Sequence, residues 1–441
     1  MEQFTNLIEF RQAIYEHGFT AARDAQFELI DALLLGRPIR SFPELSLSPT
    51  FRRKWHSCYA AIKRGGQDWE WLEGFFAQQV AVKEGPRLFS LDGTAWPHPA
   101  ARTLADRQYV FSPTPAVDGG SIVVGHPYSV LVWVPEPGSS WGLPVSVRRA
   151  SSQQNEVEVG IEQVKRLCRD LREDMLKHLH LIIADARYGN HHFLAPLKDE
   201  PCGALVRMRC GRVLYGAPGP YRGRGRPALH GERFAFKEPE TWGEADAMVE
   251  LEHRRWGKVR LRRWDDKHAY QDAETSFSVI LVEAHLERKK PLAPFWLAYQ
   301  PPPHQQAADQ SLADLWHWYD YRWPVEPSIR FRKQYLHWKR PRFQNAACCD
   351  RWTMLVSLAQ WQLFLARDLV EDHPLPWQPA QESPTPERVL QGFGGLFREI
   401  GTPAAPPQTR GKSPGWPKGR LRTRPERHQV VKKGKKKPKP A

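Results

Sequence analysis

Residues 179–185 read LHLIIAD and residues 87–92 read RLFSLD, two short apolar runs each closed by an aspartate. The first is too continuous for a strand with one wet face, so it is expected to be a strand buried on both sides of a sheet. The second stands directly before Gly93 and Thr94 and ends on Asp92. A carboxylate leaving an apolar strand is held rigidly at the rim of a sheet, which suits a metal ligand, although Asp is also a common turn residue at strand ends. Asp92 and Asp185 are therefore candidate site residues with a bland alternative each.

Around these runs the pattern alternates. SIVVGH (121–126) and YSVLVWV (128–134) are rich in β-branched and aromatic residues, and Val157, Ile161, Val164, Leu167 and Leu171 recur at helical intervals. Ala204 to Met208 gives another apolar run. Strands, a helix, a buried strand, a helix and a strand predict an α/β core with a mixed sheet over 83–208. Residues 1–82 carry apolar positions such as Leu7, Phe10 and Ile14 at three- and four-residue spacing, and are expected to form a helical N-terminal module that either binds DNA or caps the core. Residues 209–308 turn to alternating strands, including MVELEHR, KVRLRRW and FSVILVEA, and read as a β-rich insertion. Helices return over 309–371. Beyond 372, Pro, Gly and Lys dominate, so a disordered basic tail is expected.

Of the 441 residues 41% are hydrophobic, with 18 Trp and 20 Phe, enough to build a sizeable core. The net charge of +15 points to a polyanionic partner. Residues 401–441 hold 13 Lys or Arg against the single acid Glu426, so most of that excess sits in the tail and the rest is nearly balanced. No apolar run reaches the ~18 residues of a membrane span, and the start MEQFTNLIEFRQ lacks the layout of a signal peptide, so a cytoplasmic location is expected. The six cysteines show no C-x-x-C spacing and read as ordinary reduced thiols.

The most specific stretch is YDYRWPVEPSIRFRKQ, residues 319–334. Tyr319, Arg322, Glu326 and Lys333 stand at offsets of 0, 3, 7 and 14, which on one helix fall within roughly 60° of each other at about 100° per residue. Pro324 and Pro327 mean that the helix either kinks there or begins afresh, and in both cases Glu326 lies near a helix N-terminus. An acid flanked by two cations and a phenol is composed to meet a metal and a phosphate together.

This segment fits Y-x2-R-x3-E-x6-K, and the chain thereby resembles the DDE transposases of bacterial insertion sequences. Leu91-Asp92-Gly93-Thr94 is similar to that family's first acidic motif. Asp185 with Tyr188 and Gly189 is similar to its second, with the glycine after the aromatic where many members have it before. The resemblance spans roughly 85–345. It implies an RNase H-like core in which Asp92, Asp185 and Glu326 hold two Mg²⁺ or Mn²⁺ ions for phosphoryl transfer. Hard cations prefer carboxylate oxygens, and two of them about 4 Å apart can activate an attacking oxygen while stabilising the leaving one.

The resemblance further implies that Tyr319, Arg322 and Lys333 hold phosphates beside the cut. Trp296 is either a core residue or an aromatic that stacks an extruded base, as in some relatives. Arg224-Gly225-Arg226-Pro227 resembles an AT-hook core, with a basic turn as its plain alternative. The expected partners are the terminal inverted repeats of an element and its target DNA, with a homodimer on the DNA in a bacterial nucleoid. A two-metal nuclease without strand transfer, or a catalytically silent DNA-binding derivative, are the competing expectations.

Overall fold

The computed structural model describes residues 4–80, 85–112, 121–136, 138–221, 223, 225–285, 293–372, 374, 376–381, 383–408, 415, 417–421 and 424–432. Strands β1 (Arg87–Pro97), β2 (Gln108–Phe111), β3 (Ile122–Val134), β4 (Leu143–Arg149), β5 (His180–Ala184) and β6 (Gly203–Met208) form the first part of one mixed sheet. β1 pairs antiparallel with β3 and parallel with β5, and β5 pairs parallel with β6. β4 runs antiparallel along the far side of β3.

The apolar runs are explained by which face each residue takes, since side chains alternate across a strand. Phe89 and Leu91 of β1 and Ile182 and Ala184 of β5 enter one buried cluster. Leu88, Leu181 and Ile183 enter a second on the opposite face. The first face is covered by α5 (Glu156–Asp170) and α10 (Ala346–Leu365), and the second by α8 (Leu312–Asp320), which contributes Leu312, Leu315 and Trp316. With both faces dry, β5 is buried at every position, and four of its five residues are apolar, His180 being the exception.

Helix α5 begins on a capping box in which the Asn155 side chain accepts from Val157 and Glu158 N–H. Fourteen of the twenty residues of α10 are buried, so it is a core helix with no wet stripe. Two of its polar side chains donate inward: Trp361 Nε1 to the Pro144 carbonyl at 2.8 Å and Gln360 Nε2 to that of Gly142 at 2.9 Å. The N-terminal helices α1 (Thr5–His17), α2 (Arg23–Leu34), α3 (His56–Arg64) and α4 (Trp69–Gln78) bury Leu7, Phe10, Ile14 and Leu72 in the cluster that α10 occupies. Two short helices, α6 (Arg172–Lys177) and α7 (His191–Leu194), flank β5.

The strands after β6 continue the same sheet. They are β7 (Val213–Tyr215), β8 (Arg233–Ala235), β9 (Ala247–His253), β10 (Gly257–Ala269), β11 (Asp272–His285) and β12 (Phe295–Gln300), in the order β6-β12-β11-β10 with β9 also on β10. Among the described residues the sheet has twelve strands.

Of the two alternatives at Pro324 and Pro327, the fresh start holds: α8 stops at Asp320 and α9 (Val325–Gln334) begins anew after a turn, with Pro324 at its N-cap, so Tyr319 and Lys333 do not share one helix. One expectation is corrected: not everything beyond 372 is without a core. Helix α11 (Pro386–Ile400) buries Val389, Leu390, Phe393 and Leu396 against the α2–α10 layer. Gly36, at φ +62°, lies so close that a Cβ there would stand 3.0 Å from Leu390. Further along, the His428 and Gly401 carbonyls accept hydrogen bonds from Arg107 (2.9 Å) and Arg11 (2.8 Å). The basic run from 433 to 440 lies outside the described residues.

Because Phe393 is fully buried, Phe393→Ala is expected to destabilise the chain by about 3–5 kcal/mol. Denaturant unfolding checks this, and an unchanged midpoint would mean that α11 is not part of the core.

Candidate active site

The parallel register of β1 and β5 pairs Leu91 with Ala184, so the next residues, Asp92 and Asp185, stand abreast on neighbouring strands. β5 ends there, while β1 runs on to Pro97 paired only with β3. Asp92 is thus inside a strand and not at its end, at the point where that strand loses its parallel neighbour. Alternation fixes the direction: positions 88, 90 and 92 of β1 and 181, 183 and 185 of β5 share the face that α8 covers. The turn after α8 comes back over this face. Ser90 Oγ donates to the Arg322 carbonyl at 3.3 Å, and Lys333 Nζ donates to Thr94 Oγ1.

Glu326 occupies the first turn of α9, where the helix dipole favours a carboxylate. Arg322 lies between it and Asp92: Nη2 is 2.6 Å from Glu326 Oε1 and Nη1 is 3.8 Å from Asp92 Oδ2. The local turns hold the two aspartates in place. Gly93 N–H donates to Asp92 Oδ1 at 2.7 Å, and Arg187 N–H to Asp185 Oδ1 at 2.9 Å. Burial, then the neighbouring Asp185, push the Asp92 carboxyl up to about 6, with Arg322 opposing them. Burial, then Lys339 and Arg332, pull the Lys333 ammonium down to about 7.

Asp92, Asp185, Glu326 and Lys333 all line one cleft of about 1000 Å³. Tyr319 does not; it is 9% exposed and lines an adjoining cavity of about 360 Å³ with Arg322 and Glu326, of which Glu326 also lines the cleft. Trp296 takes its core reading. It is 3% exposed and stacked on Phe236 at 4.2 Å among Phe234, Trp242 and Trp264, so it cannot meet a base in this arrangement. Arg226 is exposed on the β7–β8 loop, away from the residues lining the cleft, and Arg224 lies outside the described residues.

Several cleft residues carried no sequence signal. Glu156, in the first turn of α5, pairs with Arg187, and a Cβ on Gly93 would come within 3.2 Å of it. Tyr109 and Phe111 on edge strand β2 stand 53% and 57% exposed on the cleft wall. Gly189 has a steric reason: a Cβ there would lie 1.9 Å from the Arg207 carbonyl of β6, whatever its order relative to Tyr188.

A family profile described as DDE superfamily endonuclease matches residues 15–268, more than half of the chain. The chain belongs to the DDE superfamily endonucleases. The superfamily's nucleases use divalent metal ions and take DNA as substrate. The match includes Asp92 and Asp185 and ends before Glu326. No curated protein matches the chain. Among solved structures, the C-terminal lobe of a budding yeast Argonaute aligns at 9% identity and a TM-score of 0.20, over 74% of this chain and 57% of that one, and carries no argument. No helix among the described residues is long and apolar enough to cross a membrane.

The raised Asp92 carboxyl has a consequence for this endonuclease. A folded-state pKa above the unfolded value means that ionising Asp92 costs stability, and the cost grows as pH rises from about 4 to about 6 and is constant above that. In metal-free protein at pH 8, Asp92→Asn is therefore expected to be more stable than the parent by about 2 kcal/mol. The gain should fade as pH falls to 4. Equal unfolding midpoints at both pH values would contradict this.

Proposed function

We propose that this DDE endonuclease is a DNA transposase, which cleaves at the ends of an insertion sequence and joins the freed 3′-hydroxyls to target DNA. The strand order β4-β3-β1-β5-β6, with β3 antiparallel and β5 parallel to β1, supports an RNase H-like core. The observation that carries the reading is the meeting of Asp92, Asp185 and Glu326 in one cleft, from two adjacent strands and a separate helix.

The residues present fit divalent ions: all three donors are hard carboxylates, and a half-buried Asp92 beside Asp185 is short of positive charge. Asp92, Asp185 and Glu326 would hold two Mg²⁺ or Mn²⁺ ions, which when bound supply Lewis acidity at the scissile phosphate. Arg322, with its planar fork, is the group suited to grip a phosphate bidentately, and Lys333 acts as a point charge from the β1 side. Tyr319, behind Arg322, orients that guanidinium more than it contacts DNA. Water is the first nucleophile and a DNA 3′-hydroxyl the second, so no covalent bond to the protein forms.

The base-stacking role fits Tyr109 and Phe111 better than Trp296, because they present rings to the cleft. Tyr109→Ala with Phe111→Ala is expected to weaken binding of single-stranded DNA by about 1–3 kcal/mol for each base that loses its stacking partner. Fluorescence anisotropy at fixed salt measures this, and unchanged affinity would remove these rings from the site.

A supercoiled plasmid carrying the element's ends, incubated with Mg²⁺, tests the function. Cleavage followed by insertion is expected. Cleavage alone would indicate a nuclease, and binding alone a silent derivative. Asp92→Ala, Asp185→Ala and Glu326→Ala should each abolish cutting and leave DNA binding largely intact; full cutting by any one of them would remove that acid from the triad.

A further inference from the structure

A second cluster of ligand-type side chains lies away from the acids. His98 follows β1, His126 is on β3 and Cys349 is on α10, and they are 5%, 0% and 0% exposed. One ligand atom from each falls within 4.8 Å of the others, the only such group of three among the described residues. His98 Nε2 stands 3.9 Å from Cys349 Sγ. His126 Nε2 is 3.0 Å from the Ala105 carbonyl, which can only accept, so the ring proton sits on Nε2 and Nδ1 keeps its lone pair. That Nδ1 is buried and has no hydrogen-bond partner.

These features are those of a ligand set. A metal-binding histidine commonly donates its other N–H to a backbone carbonyl, which fixes the tautomer and turns the free nitrogen toward the ion. An unpartnered buried acceptor is otherwise a cost without return. Two imidazoles and a thiol suit zinc, and the bond lengths of a tetrahedral zinc site put sulfur and nitrogen roughly 3.5 Å apart, close to the separation of His98 and Cys349 here. The donors are softer than the carboxylates of the cleft, so the two sites select different metals.

We infer that His98, His126 and Cys349 form a zinc site that ties the paired strands β1 and β3 to helix α10. Binding replaces the thiol proton of Cys349, which is released to solvent, and no oxidation change is involved. Three protein donors leave one tetrahedral position for a further ligand. The site fastens β1 six residues beyond Asp92, so it steadies the strand that carries the first acid without entering the cleft.

Elemental analysis tests this on the full chain, purified from zinc-supplemented cells and dialysed against Mg²⁺ buffer. About one zinc per chain is expected, with Asp185→Ala unchanged and His126→Ala and Cys349→Ser at least about tenfold lower. Cobalt(II) added to the metal-stripped parent chain should give a thiolate-to-cobalt absorption band. This second readout needs no variant and stands if a substitution prevents folding. Absence of both zinc and the cobalt band in the parent chain overturns the proposal. So does zinc that is kept in Cys349→Ser and lost in Asp185→Ala, since that places the ion on the acids.

Discussion

Pairing of β1 with β5 is the constraint on which the rest of the arrangement depends. Two parallel neighbours in register from Arg87–His180 to Leu91–Ala184 leave no freedom in where Asp92 and Asp185 sit relative to each other. A slip of one residue would turn one carboxylate to the opposite face, into the apolar layer under α5 and α10. The register is held by burial on both faces, since Phe89 and Leu91 pack one way and Leu88 the other. The core therefore sets the geometry of the acids before any loop contributes.

On that frame the third acid arrives by a different route. α8 packs its apolar residues on the face shared by both aspartates, and the turn at 321–324 redirects the chain so that α9 crosses above them. The charges that meet there are arranged against their own comfort: a half-buried carboxyl pushed up, a half-buried ammonium pulled down, and Arg322 shared between two acids. Such strain in electrostatics is typical of sites built for a ligand that brings charge of its own. Packing around the site is what keeps it from relaxing.

Much of this was legible in the residues. LHLIIAD and RLFSLD gave strands because both faces of β5 are buried, and the stretch with Tyr319, Arg322, Glu326 and Lys333 brings Glu326 and Lys333 to the cleft of Asp92 and Asp185. Of the two alternatives that Pro324 and Pro327 left open, a kink or a fresh start, the fresh start is the one adopted, and it separates Tyr319 from the cleft. Trp296 could not be sorted by sequence, since a strand residue meets solvent or core according to neighbours such as Phe236 and Trp242 that lie far away in the chain. Helix α11 was hidden for another reason. Val389, Leu390, Phe393 and Leu396 have helical spacing, but the Pro- and Gly-rich flanks set the composition of the window. His98, His126 and Cys349 come together only through tertiary folding and leave no motif at all.

Asp92 and Asp185, set abreast by strand pairing, are proposed to share a divalent ion with Glu326 opposite. Anomalous scattering from crystals of the chain soaked in Mn²⁺ tests this most directly. A manganese peak within coordination distance of both aspartates is expected, at roughly 2.0–2.3 Å from carboxylate oxygens of these residues. Manganese bound elsewhere, with no peak between Asp92 and Asp185 at saturating concentration, would contradict it.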